Sequence, residues 1–348
     1  MPESRFRVAL TADFYDAEGR LKYPDIGLDL MRSEPHVEVT QFAVHGPEIS
    51  ADQLAGMNGA IVLTPRVTAA SLKNSADLLA LGRFGVGYDS VDVAACTAAD
   101  VLLYITAGAV DHSVAEATVG WMLALTHQMR AKDKLVREAR WNDRAGYMGT
   151  ELRSRTLGIV GFGGIGKAVL RMLSGFGMQR ALVYDPFVSA KSITDAGARP
   201  VTLDELLTAA DFVSLHCPLN DKTRNLIGEK ELARMKPGAW LINTARGGIV
   251  NEPALYDALK SRKIAGAAID CFETEPLVAP PKLAELENVL FAPHCIAWTD
   301  ELFRDIGRAA CQGMLDLAHG RPPKGLINPE VLNSPTFKEK WKRNLRSS

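Results

Sequence analysis

Thr156-Leu-Gly-Ile-Val-Gly-Phe-Gly-Gly-Ile-Gly-Lys-Ala-Val169, followed by Ala181-Leu-Val-Tyr-Asp185, is the stretch whose reading decides the fold. Leu157–Val160 is a short apolar run of strand character, and Lys167–Leu173 puts its apolar residues on one face of a helix. Between them stands Gly161-x-Gly163-x-x-Gly166. The first glycine permits a tight turn, the second lets the backbone approach a pyrophosphate, and the third lets helix and strand pack closely. The exposed amides and positive end of the helix would hold the phosphates. A second apolar run, Ala181–Tyr184, ends in Asp185, 24 residues after Gly161, where an acid binds an adenosine ribose diol. A glycine-rich turn that binds nothing is the competing reading of a lone triplet; its place between strand and helix, with the acid after the next strand, favours a dinucleotide. Asp185 also selects the cofactor. A carboxylate about 4 Å from a 2′-phosphate would cost on the order of 4 kcal/mol at an effective dielectric of 20, less when solvated. Pro186 and Phe187 follow it, not an arginine. NAD is therefore predicted over NADP.

Outward from this motif, the 348 residues suffice for two domains of ordinary size, each with its own core. Hydrophobic content of 47%, charged content of 23% and a net charge of −1 describe a globular protein with no polyanion or membrane surface among its expected partners. Cys96, Cys217, Cys271, Cys295 and Cys311 include no C-x-x-C pair, so reduced thiols and a cytoplasmic location are expected. Met1-Pro-Glu-Ser-Arg-Phe-Arg7 lacks the apolar core of a signal peptide, and no run of about 18 uncharged apolar residues exists.

Residues 1–104 read as an open α/β unit of their own. Strands are expected at Val8–Thr11, Val37–Val44, Gly59–Leu63, Leu79–Phe84 and Val101–Ile105, with helical patterns between several of them. Such alternation favours a parallel sheet, whose ligands sit at the carboxyl ends of the strands. Gly85-Val-Gly-Tyr-Asp89 falls there: its amides would cradle a small anion, or it is an ordinary turn. Ser113–Arg140 is predicted as one long helix, capped by Ser113 with Glu116 completing a capping box. Its first half, Val114–Leu125, is apolar almost all round and must be buried, between domains or against a second subunit. Trp141–Arg153 reads as a polar loop. The rest of the dinucleotide unit follows: strands at Phe212–His216, Ala239–Ala245, Ile264–Ile269 and Val289–Ala292, helices at Leu203–Ala210 and Pro253–Ser261. Thr299–Gly320 is helical, and Leu326–Ser348, proline-punctuated with a basic end, reads as a solvated tail.

Four polar residues fall at strand ends of the second unit: Arg246, Asp270, Glu275 and His294. Singly, each has an ordinary reading: a surface ion pair, a helix cap, a loop acid, a satisfied core histidine. Together on the ligand-facing edge of one dinucleotide sheet they match what hydride chemistry requires. It needs an acid/base that titrates near neutrality, a cation to hold and polarise the substrate, and a carboxylate to orient the base. His294, Arg246 and Glu275 can fill those roles.

On these motifs the chain resembles the D-isomer-specific 2-hydroxyacid dehydrogenases over nearly its whole length. The cofactor motif from Leu157 to Gly166 is joined by Asn243-Thr-Ala-Arg-Gly-Gly-Ile-Val250, Asp270-Cys-Phe-Glu-Thr-Glu-Pro276 and Ala292-Pro-His294, in the family's order and spacing. The resemblance implies two parallel-sheet α/β domains. One is a flavodoxin-like substrate domain from residues 1–104 and 299–348. The other is a Rossmann-type NAD-binding domain at 105–298, which includes an interdomain and dimerisation helix near 113–140. It implies that Arg246 binds the substrate carboxylate and polarises the carbonyl, that His294 is the acid/base, and that Glu275 hydrogen-bonds His294. Val86 and Gly87 would offer amides to the substrate carboxylate. Gly161, Phe162, Gly163, Gly164, Ile165 and Gly166 would lie on the pyrophosphate, with Asp185 on the ribose. His216, Cys217 and Pro218 would line the adenine side. Thr244, Ala245 and Asp270 would face the nicotinamide. The expected substrate is a small 2-oxo or 2-hydroxy acid of the glyoxylate, hydroxypyruvate or glycerate type, and the expected assembly is a homodimer without metal. The alternative is an NAD(H)-binding regulator, since corepressors of the superfamily keep the fold and much of the triad.

Three positions depart from the family's usual pattern: Ala107, where proline is common, Asn251, where aspartate is common, and Cys295-Ile-Ala-Trp298, where a glycine pair often follows the histidine. Trp298 resembles the glycerate and hydroxypyruvate members; it either narrows the pocket or packs at a domain boundary. Glutamate at 275 speaks against the formate dehydrogenase branch, and the chain's length against the regulatory module of long phosphoglycerate dehydrogenases.

Overall fold

The computed structural model describes residues 5–345; Met1–Ser4, on which most of the signal-peptide argument rests, and Arg346–Ser348 lie outside the described residues. The chain divides into two compact units, residues 1–110 with 298–348, and residues 111–297. Among the described residues no helix is long and apolar enough to cross a membrane.

In the first unit, apolar runs separated by turn residues give β1 (Phe6–Leu10), β2 (Val37–Gln41), β3 (Gly59–Val62), β4 (Ala80–Arg83) and β5 (Leu102–Ile105). They pair in parallel in the order β2-β1-β3-β4-β5, the flavodoxin-like arrangement. The helix Asp300–Ala318, started by the Thr299 hydroxyl accepting from the Leu302 amide, returns to cover this sheet. Gly59 and Gly82 leave the room that Met314 fills. The buried Tyr104 hydroxyl donates to the Ala310 carbonyl at 2.6 Å.

The second unit contains β6 (Leu157–Val160), β7 (Leu182–Tyr184), β8 (Arg199–Pro200), β9 (Phe212–Leu215), β10 (Trp240–Asn243), β11 (Gly266–Ile269) and β12 (Val289–Phe291). Their order is β12-β11-β10-β9-β6-β7-β8, all parallel. The order reverses between β6 and β9, the switch point at which a doubly wound sheet opens a crevice. β6, β9 and β11 are buried along their whole length, as strands covered on both faces must be.

Two expectations need correction. The long helix is two, Asp111–Thr126 and Met129–Arg137. It begins two residues before Ser113, so Ser113 lies inside the first turn and is no cap. It breaks at Gln128, which takes a left-handed backbone with φ 51°. The break has a tertiary cause: residues 148–150 dock on the end of the first helix. The Thr150 amide donates to the Thr126 carbonyl at 2.9 Å, and the Gln128 side-chain amide to the Met148 carbonyl at 2.7 Å. The apolar first half is also not buried all round within one chain. Ala115, Thr118, Val119, Trp121 and Met122 are buried, while Gly120 is exposed and Ala117 and Ala124 are half-exposed.

The basic C-terminal stretch also departs from its expected form. Within its described part it is not a solvated tail but ends in a helix, Pro335–Asn344, capped by the Ser334 hydroxyl. Phe337 is fully buried. The Lys340 ammonium lies buried and donates to the carbonyls of Leu78, Ala99 and Asp100 at 2.7–3.1 Å. Burial brings this lysine down to about 8. The Trp341 indole N–H reaches the Leu317 carbonyl at 3.0 Å.

Candidate active site

The glycine motif forms at the carboxyl end of β6. Gly161 has φ 92°, and a Cβ there would come within 2.7 Å of the His216 and Cys217 backbone, so only glycine fits where β6 and β9 part. A Cβ at Gly166 would meet the Gly161 carbonyl at 2.5 Å: the helix Gly164–Met172 presses onto the strand at this point. Nothing lies within 4 Å of a Cβ built on Gly163, so the space before the helix N-terminus is open. This is a cradle of phosphate-binding shape. The Asp185 carboxylate, at the end of β7, accepts from the Phe162 amide at 2.7 Å and the Phe187 amide at 2.8 Å. Those bonds fix its position and leave further lone pairs for a diol.

At the end of β9, His216 Nε2 lies 2.8 Å from the Ser214 hydroxyl, while its Nδ1 is buried without a partner among the described residues. Burial drives this imidazole down to about 4 and the neighbouring Cys217 thiol up to about 11. A buried, unpartnered ring nitrogen beside the switch point is a ready group for a ligand. These features fit a dinucleotide.

Arg246 follows β10 on a turn tied by its own strand. The buried Asn243 side chain accepts from the Ala245 amide at 3.0 Å and donates to the Arg246 carbonyl at 2.9 Å. A Cβ at Gly247 would collide with the Phe272 carbonyl, so this turn and the segment after β11 meet backbone to backbone. That contact brings Glu275 near Arg246. Glu275 accepts from the Phe272 amide at 2.8 Å through one oxygen and is joined to His294 Nδ1 at 2.7 Å through the other. Burial pushes the Glu275 carboxyl up. The hydrogen bond and charge of His294, the Phe272 amide and the Arg246 guanidinium outweigh that and hold it below the ordinary glutamate range.

His294 itself stands after β12 in the left-handed region, φ 54°, uncommon for a residue with a side chain. Asp270 holds it there. The Asp270 carbonyl accepts from the His294 amide at 2.8 Å, and its carboxylate accepts from the Cys295 and Ile296 amides at 3.0 and 3.2 Å. Burial raises the Asp270 carboxyl despite these bonds and the nearby His294. Thr244 touches the Thr118 hydroxyl at 3.3 Å, and the Ala245 carbonyl accepts from Arg246 Nη1 at 2.7 Å.

The structure thus brings Arg246, Asp270, Glu275 and His294 to the carboxyl edge of β10, β11 and β12. Phe162, Gly164, Ile165, Asp185, His216, Cys217 and Pro218 stand around the ends of β6, β7 and β9. Val86 and Gly87 belong to the first unit. They are half-buried just after β4, on a loop whose Gly85 exchanges bonds with Thr106 at 3.0 and 3.1 Å. Trp298 also belongs to the first unit, half-exposed, its ring edge-on to Tyr23 and Phe303 at 6.0 and 5.1 Å.

Two roles are not read from the sequence. Asn243 opens the arginine motif, but its part in tying the turn that carries Arg246 shows only in the fold. Asp111 lies against Gly164, at the start of the cofactor helix, where burial raises its carboxyl and Arg171 opposes the shift; no local pattern links residues 53 apart. The Cys271 thiol lies within 4.8 Å of ligand atoms of Glu275 and His294, a grouping that could also take a cation.

Residues 119–295 match the family model of the D-isomer specific 2-hydroxyacid dehydrogenase, NAD binding domain. The chain is 36% identical to a glyoxylate reductase of Korarchaeum cryptofilum over 78% of its own length and 82% of that protein. It is 35% identical to a D-3-phosphoglycerate dehydrogenase of Archaeoglobus fulgidus over 78% of its own length. It spans only 51% of that relative. Among solved structures it resembles a glyoxylate reductase from Paecilomyes thermophila, with TM-score 0.80, 27% identity and coverage of 95% of this chain and 100% of that one.

Proposed function

The chain belongs to the D-isomer-specific 2-hydroxyacid dehydrogenases, and from that footing we propose that it interconverts a small 2-oxo acid and its D-2-hydroxy acid with NAD(H), acting on substrates of the glyoxylate and hydroxypyruvate type. The observation that carries this reading is the His294–Glu275 pair at 2.7 Å, with the Arg246 charge acting on the same carboxylate.

Bound NADH supplies the hydride. Arg246 receives the substrate carboxylate and draws electron density from the carbonyl, a charge-assisted contact suited to a planar anion. His294 has one ring nitrogen committed to Glu275 and the other, Nε2, available to give a proton to the carbonyl oxygen. In the reverse direction it takes that proton back. Glu275 sets the tautomer and orientation of the ring. By the family resemblance, the Val86 and Gly87 amides of the first unit would be candidates for holding a substrate carboxylate. Phe162–Ile165 would hold the pyrophosphate, Asp185 the ribose diol and His216–Pro218 the adenine. Thr244, Ala245 and Asp270 would hold the nicotinamide.

The small-residue face at Ala117, Gly120 and Ala124 supports a homodimer with this helix in its interface. The five cysteines, none of them in a disulfide among the described residues, fit a reducing cytoplasm.

NADH oxidation measured across glyoxylate, hydroxypyruvate, pyruvate, phenylpyruvate, 2-oxoglutarate and 3-phosphohydroxypyruvate tests the proposal. One of the first two should stand well above the rest. Tight NADH binding with no turnover of any of the six would overturn it.

A further inference from the structure

Away from the candidate active site, the first unit gathers two imidazoles around one carboxylate. Glu34 and His36 flank Pro35 on the turn that leads into β2, and His319 ends the helix Asp300–Ala318. His36 Nδ1 lies 3.6 Å, and His319 Nε2 3.7 Å, from the same Oε2 of Glu34. The three ligating atoms are all within 4.8 Å of one another, and the two rings are 5.3 Å apart between centroids.

These separations are too long for hydrogen bonds, and a charged pair would close to about 2.7–2.9 Å. They are near what a tetrahedral ion imposes: ligand bonds of about 2.0–2.2 Å set neighbouring donors roughly 3.4 Å apart. The side chains are held but not sealed, at 17% exposure for His36, 34% for Glu34 and 33% for His319. A solvent ligand can therefore complete the shell. The ion-pair contacts of the Glu34 carboxylate are with these two imidazoles. Two nitrogens and one carboxylate oxygen are the donor set of borderline divalent cations, not of calcium or magnesium.

We propose that Glu34, His36 and His319 form a binding site for a divalent cation of the zinc class, with a solvent molecule in the fourth position. The ion would clamp the turn before β2 to the end of a helix 283 residues further along the chain. Its expected role is to stabilise the first unit, independently of the reaction.

Zinc titration of the full chain by calorimetry, with tetrahedral cobalt(II) absorption as a second probe, tests this. The Cys271, Glu275 and His294 grouping could take a second ion, so the Cys271→Ala variant is titrated in parallel. One equivalent of zinc should persist in Cys271→Ala and disappear in both His36→Ala and His319→Ala. Those two variants should keep the NADH turnover and the metal-free Tm of the parent, and Glu34→Gln should weaken zinc binding at least tenfold. Saturating zinc should raise the parent's Tm by roughly 5 °C and leave the histidine variants unmoved. Unchanged stoichiometry and affinity in both histidine variants, or no zinc bound to Cys271→Ala, would overturn the assignment.

Discussion

Replacing Asn243 by alanine removes both ties of the turn that presents Arg246. In the structure the Asn243 amide sits at 1% exposure, accepts from the Ala245 N–H at 3.0 Å and donates to the Arg246 carbonyl at 2.9 Å. Each hydrogen bond contributes about 0.5–1.5 kcal/mol net, and each buried partner left unpaired costs about 1–3 kcal/mol. Entry of water into the space would offset part of this, so we expect a stability loss of about 2–3 kcal/mol. For a unit of this size that is a fall in Tm of roughly 5–10 °C. The kinetic effect should be larger than the stability effect implies. Misplacement of a positioning group by about 1 Å can cost on the order of 10²-fold, so the KM for the 2-oxo acid should rise and kcat should fall by about 10–10²-fold. The NADH dissociation constant, read by fluorescence quenching, should move less than threefold or so, because the glycine cradle is untouched. Asn243→Asp is the control: it keeps the acceptor for Ala245 but sets a carboxylate against the Arg246 carbonyl, and should be at least as damaging. If the Tm falls as expected while KM and kcat at a temperature well below it stay at parent values, Asn243 is only structural and the turn does not control Arg246.

Three other outcomes are expected. His294→Ala should lower 2-oxo acid reduction by about 10²–10⁴-fold with NADH affinity retained; an unaltered rate removes His294 from the reaction. Asp185→Ala should narrow the preference for NAD over NADP, measured as the ratio of kcat/KM values, and an unchanged ratio places that choice elsewhere. For Lys340, lowered to about 8 by burial against a reference near 10.4, the folded chain gives up its proton first as pH rises. The unfolded chain then binds more protons, so stability should increase between pH 8 and about 10, by up to about 3 kcal/mol. Lys340→Met should lose that rise; chemical denaturation of both proteins at pH 7.5 and pH 10 decides it, and parallel curves would refute it.

What could be read in the sequence was what local pattern encodes. The run from Leu157 to Gly166 placed a strand, a turn and a helix because apolar periodicity and glycine sterics act within ten residues. Arg246, Asp270, Glu275 and His294 could be recognised because each follows an apolar strand whose end the pattern marks. What stayed hidden depends on contacts between distant residues. Gln128 breaks its helix because residues 148–150 dock there, and the helical pattern on either side gives no sign of it. The basic stretch after Pro335 looked solvated because charge usually faces water; Lys340 instead meets three carbonyls from elsewhere in the first unit. Glu34, His36 and His319 come together only when the last long helix returns to the first sheet.

That return has a bearing on how the protein is made. Residues 111–297 are contiguous and can begin to fold as soon as they leave the ribosome. Residues 1–110 cannot finish, because Met314 and Ala310 of the returning helix complete the packing over Gly59, Gly82 and Tyr104. At synthesis rates of about 5–20 residues per second, the intervening unit delays that helix by roughly 10–40 s. During this time an apolar face of β3, β4 and β5 waits without its cover. The first third of the chain to be translated is therefore the last to mature, and that interval is when the nascent protein depends most on chaperones.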